Sequence, residues 1–280
     1  MVFVASNATL QTAVNGWCDG SITAGTLLDE NNPAYGTYGA IGDWDVSAVT
    51  DMNSLFSNKQ TFNDDISGWD VSNVTTMTNM FYLAFVFDKD IGNWDTSEVR
   101  DMSRMFSDAR AFNQDISKWN VSNVTNMLGM FNEAFAFNQS INTTLNVTMN
   151  GSTYTAWDVS NVTTMYYMLA SAEAFNQPIG NWDVSNVTTM YAMFQDANVF
   201  NQSLNNWNVS RVNNMFQMFA NARAFNQNLN NWSPVTSVNT GYMFFGVPGM
   251  NNSKVSSWSG TLTNPNNTSS TYPQGLGMFG

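Results

Sequence analysis

Residues 69–88 read Trp69-Asp70-Val71-Ser72-Asn73-Val74-Thr75-Thr76-Met77-Thr78-Asn79-Met80-Phe81-Tyr82-Leu83-Ala84-Phe85-Val86-Phe87-Asp88. With an Ile or Leu three residues before the Trp, this phrase recurs eight times along the chain. Its anchors are Trp44, Trp69, Trp94 and Trp119 at intervals of 25, then Trp157 after 38, then Trp182, Trp207 and Trp232 at 25 again. A period of roughly 20–50 residues held this strictly marks stacked repeats, in which no unit buries its apolar face alone. The predicted fold class is α/β: a curved solenoid of about eight 25-residue strand-plus-helix coils with terminal caps.

Within one coil, Val74, Met77, Met80, Phe81, Ala84 and Phe87 recur at the helical period, which predicts a helix of about three turns over 74–87. Ser72 and Asn73 suit its N-cap, and Asp70 lies near the positive end of its dipole. Residues 62–71 leave room for one short extended segment with Ile66 and Trp69 directed inward. Stacked coils would pair these segments as a parallel sheet. Strands sit about 4.8 Å apart and helices about 10 Å, so the stack is expected to curve with its sheet concave.

Residues 1–39 read as an N-terminal cap. Leu10, Val14 and Trp17-Cys18 fall at i, i+4 and i+7 of a short amphipathic helix, followed by an approach through Gly25, Pro33 and Gly36. The repeats occupy 40–247, and the last coil is degenerate, with Pro234, Ser237 and Thr240 at places held elsewhere by Val, Val and Met. Residues 248–280 read as a C-terminal cap and tail. The 13 extra residues between Trp119 and Trp157 map to an insertion loop at 142–156, which should project from one face. It carries three glycosylation sequons, at Asn142, Asn146 and Asn150. Asn7, Asn251, Asn266 and Asn267 are further candidates outside the repeat. The Asn-Val-Thr sequons at Asn73, Asn123, Asn161 and Asn186 belong to the repeat and have a capping explanation.

An apolar content of 43% over 280 residues supports a large core. A net charge of −12 with only nine scattered Lys and Arg excludes nucleic acid and anionic lipid as natural partners. No apolar run reaches about 18 residues, so no direct membrane insertion is expected. Residues 1–6 lack the features of a signal peptide, so an exported chain would need a leader outside this sequence. The single Cys18 excludes an intramolecular disulfide framework, leaving a bridge to another chain open. Without histidine, Ser-His and Cys-His chemistry and the commonest metal ligand are missing. No catalytic residue, metal or cofactor is predicted. Asp45, Asp70, Asp95, Asp158 and Asp183 share one repeat position and read as helix-start residues ahead of a calcium ladder or an acid/base pair. Met102 with Met105 and Met190 with Met193 read as core filling rather than soft copper ligands.

Positions that vary between coils are the more informative. Leu128, Tyr166, Tyr191 and Phe216 share the place after the first Met in four consecutive coils, where earlier coils carry Asn53, Thr78 and Ser103. This apolar stripe is either edge-of-core packing or a surface for a partner or a second copy. A second patch is Phe85, Arg110 and Phe135, a cation between two rings in one row, which could receive a ligand.

The phrase over 69–81, repeated through Phe244, resembles the BspA-like surface-protein repeat, met also in mycoplasma-type lipoproteins and many microbial eukaryotes. Leu10-Gln11-Thr12-Ala13-Val14-Asn15-Gly16-Trp17-Cys18 resembles the lead-in of eukaryotic members. The resemblance covers roughly residues 8–247. It implies a leucine-rich-repeat-like solenoid, secreted or at the cell surface, non-enzymatic and used for adhesion or protein contact. The expected function is an extracellular, non-catalytic scaffold for protein–protein contact that assembles head-to-tail into a filament or surface layer, since a heterologous contact that does not close generates a fibre. The alternatives are an adhesin for a host protein or glycan and a calcium-dependent or glycan-active enzyme, the latter disfavoured because no irregular acidic cluster breaks the repeat. Thr and Asn ladders also permit ice binding.

Overall fold

A computed structural model describes residues 3–28 and 37–258. The helix expected near the start is present as α1 (Asn7–Asp19), with Ser6 as N-cap and Leu10, Ala13, Val14 and Gly16 buried. The Ser6 N–H donates to Thr9 Oγ1 at 3.0 Å, and Gly20 ends the helix at φ 81° with its N–H on the Trp17 carbonyl. Only glycine takes that left-handed position without steric cost. Asn7 fastens α1 to the first coil: its Oδ1 accepts the Thr50 N–H at 2.9 Å and its Nδ2 donates to Thr50 Oγ1 at 2.8 Å.

The helix predicted over 74–87 does not form, and among the described residues no coil contains one. The same residues make a chain of β-turns. The Met80 N–H donates to the Met77 carbonyl, Tyr82 to Asn79, Ala84 to Phe81 and Phe87 to Ala84. The alternate N–H groups leave the coil: Met77 donates to Asp101, Asn79 to Ser103, Phe81 to Met105 and Leu83 to Ser107, at 2.8–3.0 Å. A helix would have directed those donors to its own carbonyls four residues back. Asn79 and Leu83 have φ of 53° and 59°, a left-handed backbone that interrupts any α-helix. The two positions recur as rows through the coils: Ser54, Arg104, Gly129, Tyr167 and Ala192 in the first, Asn58, Asp108, Glu133, Ser171 and Asp196 in the second. Turns closing every three to four residues return the same side chains to the interior as a helix would.

The expected parallel pairing is moved as well. Single-residue parallel bridges join Asp51 to Thr76, Thr76 to Asp101, Asp101 to Asn126 and so on to Asn239, within the stretch expected to be helical, not around Ile66. With no helices, the unequal spacing behind the expected curvature and the strand-plus-helix coil of a leucine-rich repeat is gone. Asp70 and Asn73 also change roles. Asp70 Oδ1 accepts the Ser72 N–H at 3.0 Å in an Asx turn, and Asn73 Nδ2 donates 2.9 Å to the Ser47 carbonyl of the preceding coil.

Successive units are thus laid on one another in register, and their interior consists of rows of identical side chains. Phe56, Phe81, Phe106 and Phe131 stack at 5.3–5.7 Å, beside a second row that includes Phe87, Phe112 and Phe137. Phe106 and Phe112 of one coil are 4.0 Å apart. The Met77, Met80, Met102 and Met105 side chains lie fully buried between these rows. From Trp69 to Trp258 each buried Trp donates its indole N–H to the Ile or Leu carbonyl of the coil before, for example Trp119 to Ile91 at 3.1 Å and Trp182 to Ile141 at 2.8 Å. Fully burying a ring or aliphatic side chain contributes about 1.5–3 kcal/mol, and a buried indole N–H needs an acceptor. A polar seam runs alongside: Asn138 Oδ1 accepts the Asn176 N–H at 3.0 Å and Gln177 Nε2 at 3.1 Å, and the same triad repeats coil by coil.

The insertion is a β-hairpin, β1 (Thr144–Met149) paired antiparallel with β2 (Ser152–Ala156). Its tip, Asn150-Gly151, has φ of 50° and 80°, the left-handed pair that a two-residue hairpin turn requires. Val147 and Tyr154 face each other across the strands and pack on the core, and the Tyr154 hydroxyl donates to the Lys118 carbonyl. The stack passes beneath unbroken, with Phe137 on Phe175 at 6.0 Å and the Trp157 N–H on the Trp119 carbonyl at 3.1 Å.

Candidate interaction surface

Three rows carry residues that the interior does not require: the place after the first Met and the positions flanking the left-handed turns. In the later coils the predicted stripe becomes a contiguous aromatic ladder. Tyr166 stacks on Tyr191 at 4.5 Å and Tyr191 on Phe216 at 5.3 Å, all three half-buried. Tyr167 meets Tyr191 edge-on at 5.4 Å, and Tyr242 meets Phe216 at 5.6 Å and Phe245 at 6.3 Å. Burial and its hydrogen bond to Tyr191 push the Tyr167 phenol up to about 12. The ladder therefore flanks a row of turns, not a helix, and runs to the last coil.

Leu128 lies at the other end of the stripe, in a cleft of about 440 Å³ bounded by Tyr82, Arg104, Asp108, Glu133, Tyr167 and Gln195. The cleft exists because Gly129, Ser107 and Ala170 put almost no side chain on its floor. Glu133 and Asp108 sit one above the other in the second left-handed row. Burial, then the neighbouring Asp108 charge and a hydrogen bond to it, hold the Glu133 carboxyl above its usual range. Neither residue of this acidic pair is among the predicted site residues. Two acidic residues 25 apart in one repeat position were the available signal, hidden because that row otherwise varies freely. Gln195 Oε1 is buried with no hydrogen-bond donor.

The second predicted patch is filled from within. The Arg110 guanidinium lies over the Phe85 ring at 4.2 Å and 5.7 Å from the Phe135 ring, and its Nε holds Asp108 at 2.8 Å, the one ion pair among the described residues. The sequon asparagines separate clearly. Asn146 and Asn150 are exposed on the hairpin, whereas Asn142 keeps its Oδ1 buried at the hairpin base. Asn7 is engaged at α1, Asn251 Oδ1 accepts the Ser253 N–H at 3.0 Å, and Asn266 and Asn267 lie outside the described residues. Asp45 is held below the usual carboxylate range by its hydrogen bonds from the Ser47 hydroxyl and N–H. Among the described residues no three metal-ligating side chains converge, and no helix is long and apolar enough to cross a membrane.

A family model described as "Mycoplasma protein of unknown function, DUF285" matches the chain twice in tandem, over residues 30–144 and 143–258. No curated protein and no solved structure matches it.

Proposed function

Because the chain belongs to this family of tandem repeats, its two matches together covering most of its length, we propose that it is an extracellular, non-catalytic solenoid scaffold of the BspA-like kind, assembling head-to-tail into a filament or surface layer. The observation that carries this reading is the aromatic ladder on the outside of the stack. Tyr166, Tyr191, Phe216 and Tyr242 follow one another through the later coils to the last one, half-buried and not required by the interior. A second copy that covers this ladder at its last coil makes a heterologous contact, and one that does not close repeats without limit. At the opposite end the copy would meet the outer face of α1.

Electron microscopy and sedimentation of the full chain across a concentration series test this. Ordered assemblies should form and be lost in Tyr242→Asn, which keeps a side chain suited to the left-handed backbone. Dispersed monomers at high concentration would refute self-assembly and favour an adhesin that engages a different partner through the same ladder.

A further inference from the structure

We infer that the cleft over Gly129 is a binding site for a neutral saccharide, separate from the end-to-end contact. The walls decide the ligand class. Arg104, exposed and in no ion pair, lies on the same cleft as Asp108 and Glu133, so neither a simple anion nor a simple cation finds a wall of one sign. Two carboxyls beside a guanidinium are too few donors of the right charge for a metal ion. The lining is dominated by hydroxyl, amide, carboxyl and phenol groups, which disfavours an apolar ligand. What remains is a molecule that is uncharged, rich in paired donors and acceptors, and able to present C–H faces to the Tyr82 and Tyr167 rings. Sugars have this make-up.

The individual groups match. The Glu133 and Asp108 carboxyls line the cleft together and offer acceptors to adjacent hydroxyls. Gln195 lines the wall with an amide group able to donate and accept. The volume, about 440 Å³, falls in the range of roughly 300–1,000 Å³ typical of small-molecule sites. The repeat itself shows that the space is not structural: Arg104 one coil earlier and Asn79 two coils earlier occupy the Gly129 position with the same left-handed backbone.

Saturation-transfer NMR on the full chain tests the site with gluco-, manno- and galacto-configured disaccharides, with free glycine and inorganic phosphate as competitors. At least one disaccharide should receive saturation. Its affinity should fall at least tenfold in Gly129→Asn, which fills the floor, and severalfold in Tyr82→Ala, both with unchanged thermal midpoints within a few degrees. No transfer to any disaccharide, equal affinity in both variants, or displacement of the sugar by glycine or phosphate would overturn the assignment. Because Tyr242→Asn leaves the cleft intact, sugar binding that persists in that variant separates this site from assembly.

Discussion

Two stretches of this chain carry the same apolar period and fold differently. In α1, Leu10, Ala13 and Val14 are buried on a true helix, closed at Gly20. Over 74–87 the interior residues are just as regular and wholly buried, yet the backbone is a run of turns with left-handed residues at Asn79 and Leu83. The difference lies in where the amides go. An isolated helix of about 14 residues is marginal in water and satisfies only its own backbone, whereas the turns send alternate N–H groups to the next coil and join every unit to its neighbours. The hydrophobic period reports which side chains are inside and not which carbonyl receives each amide.

The largest test of this contrast is the ring row. Phe106→Ala should destabilise the chain by about 3–5 kcal/mol in chemical denaturation, since four rings around it lose a stacking partner. A loss below 1 kcal/mol would mean that the rows do not form the core. Trp119→Phe removes the indole donor from the Ile91 carbonyl, which keeps the Trp94 N–H at 3.1 Å, at a cost of about 0.5–1.5 kcal/mol by the same measurement.

A smaller effect distinguishes the two backbones directly, because substitution by glycine should act with opposite signs. Ala13→Gly within α1 should cost about 1 kcal/mol, the penalty for glycine in a helix interior. Ser54→Gly should instead stabilise by about 0.5 kcal/mol, relieving a left-handed, partly exposed residue at φ 59° after the cost of a more flexible unfolded chain. Equal signs would collapse the distinction.

The smallest effect is electrostatic. Folding holds Glu133 above its ordinary range through burial and Asp108, so the folded state favours its protonated form. Stability is therefore lost as pH rises from the ordinary glutamate range through the raised value, and the loss is complete above it. Glu133→Gln should make the chain more stable at neutral pH, with the gap closing on acidification into that range, as read from denaturation midpoints across a pH series.

The legible part of the molecule was the part governed by burial. The Trp interval gave the repeat unit, the inward set from Val74 to Phe87 is buried residue for residue, and Leu10, Val14 and Trp17 marked α1. The hairpin strands lie within the stretch from Asn142 to Ala156 read as an insertion, although the hairpin form was not foreseen despite the Asn150-Gly151 turn. Backbone conformation was not legible, because Leu83, Glu133 and Tyr167 are poor advertisements for left-handed positions. The stripe from Leu128 to Phe216 was visible as variation within a fixed row. The cleft was not, since it is made by what Gly129 and Ala170 lack and by pairs 25 residues apart that meet only once the coils are stacked.

The hairpin at 144–156 has a consequence for anyone who wishes to build with this protein. Both its ends return to the stack, whose ring rows continue beneath it, while the Trp157 N–H exchanges the carbonyl three residues back, used by the other anchors, for that of Trp119. The tip at Asn150-Gly151 is a natural socket for a foreign epitope or tag, and the same junction in any other coil should accept one too.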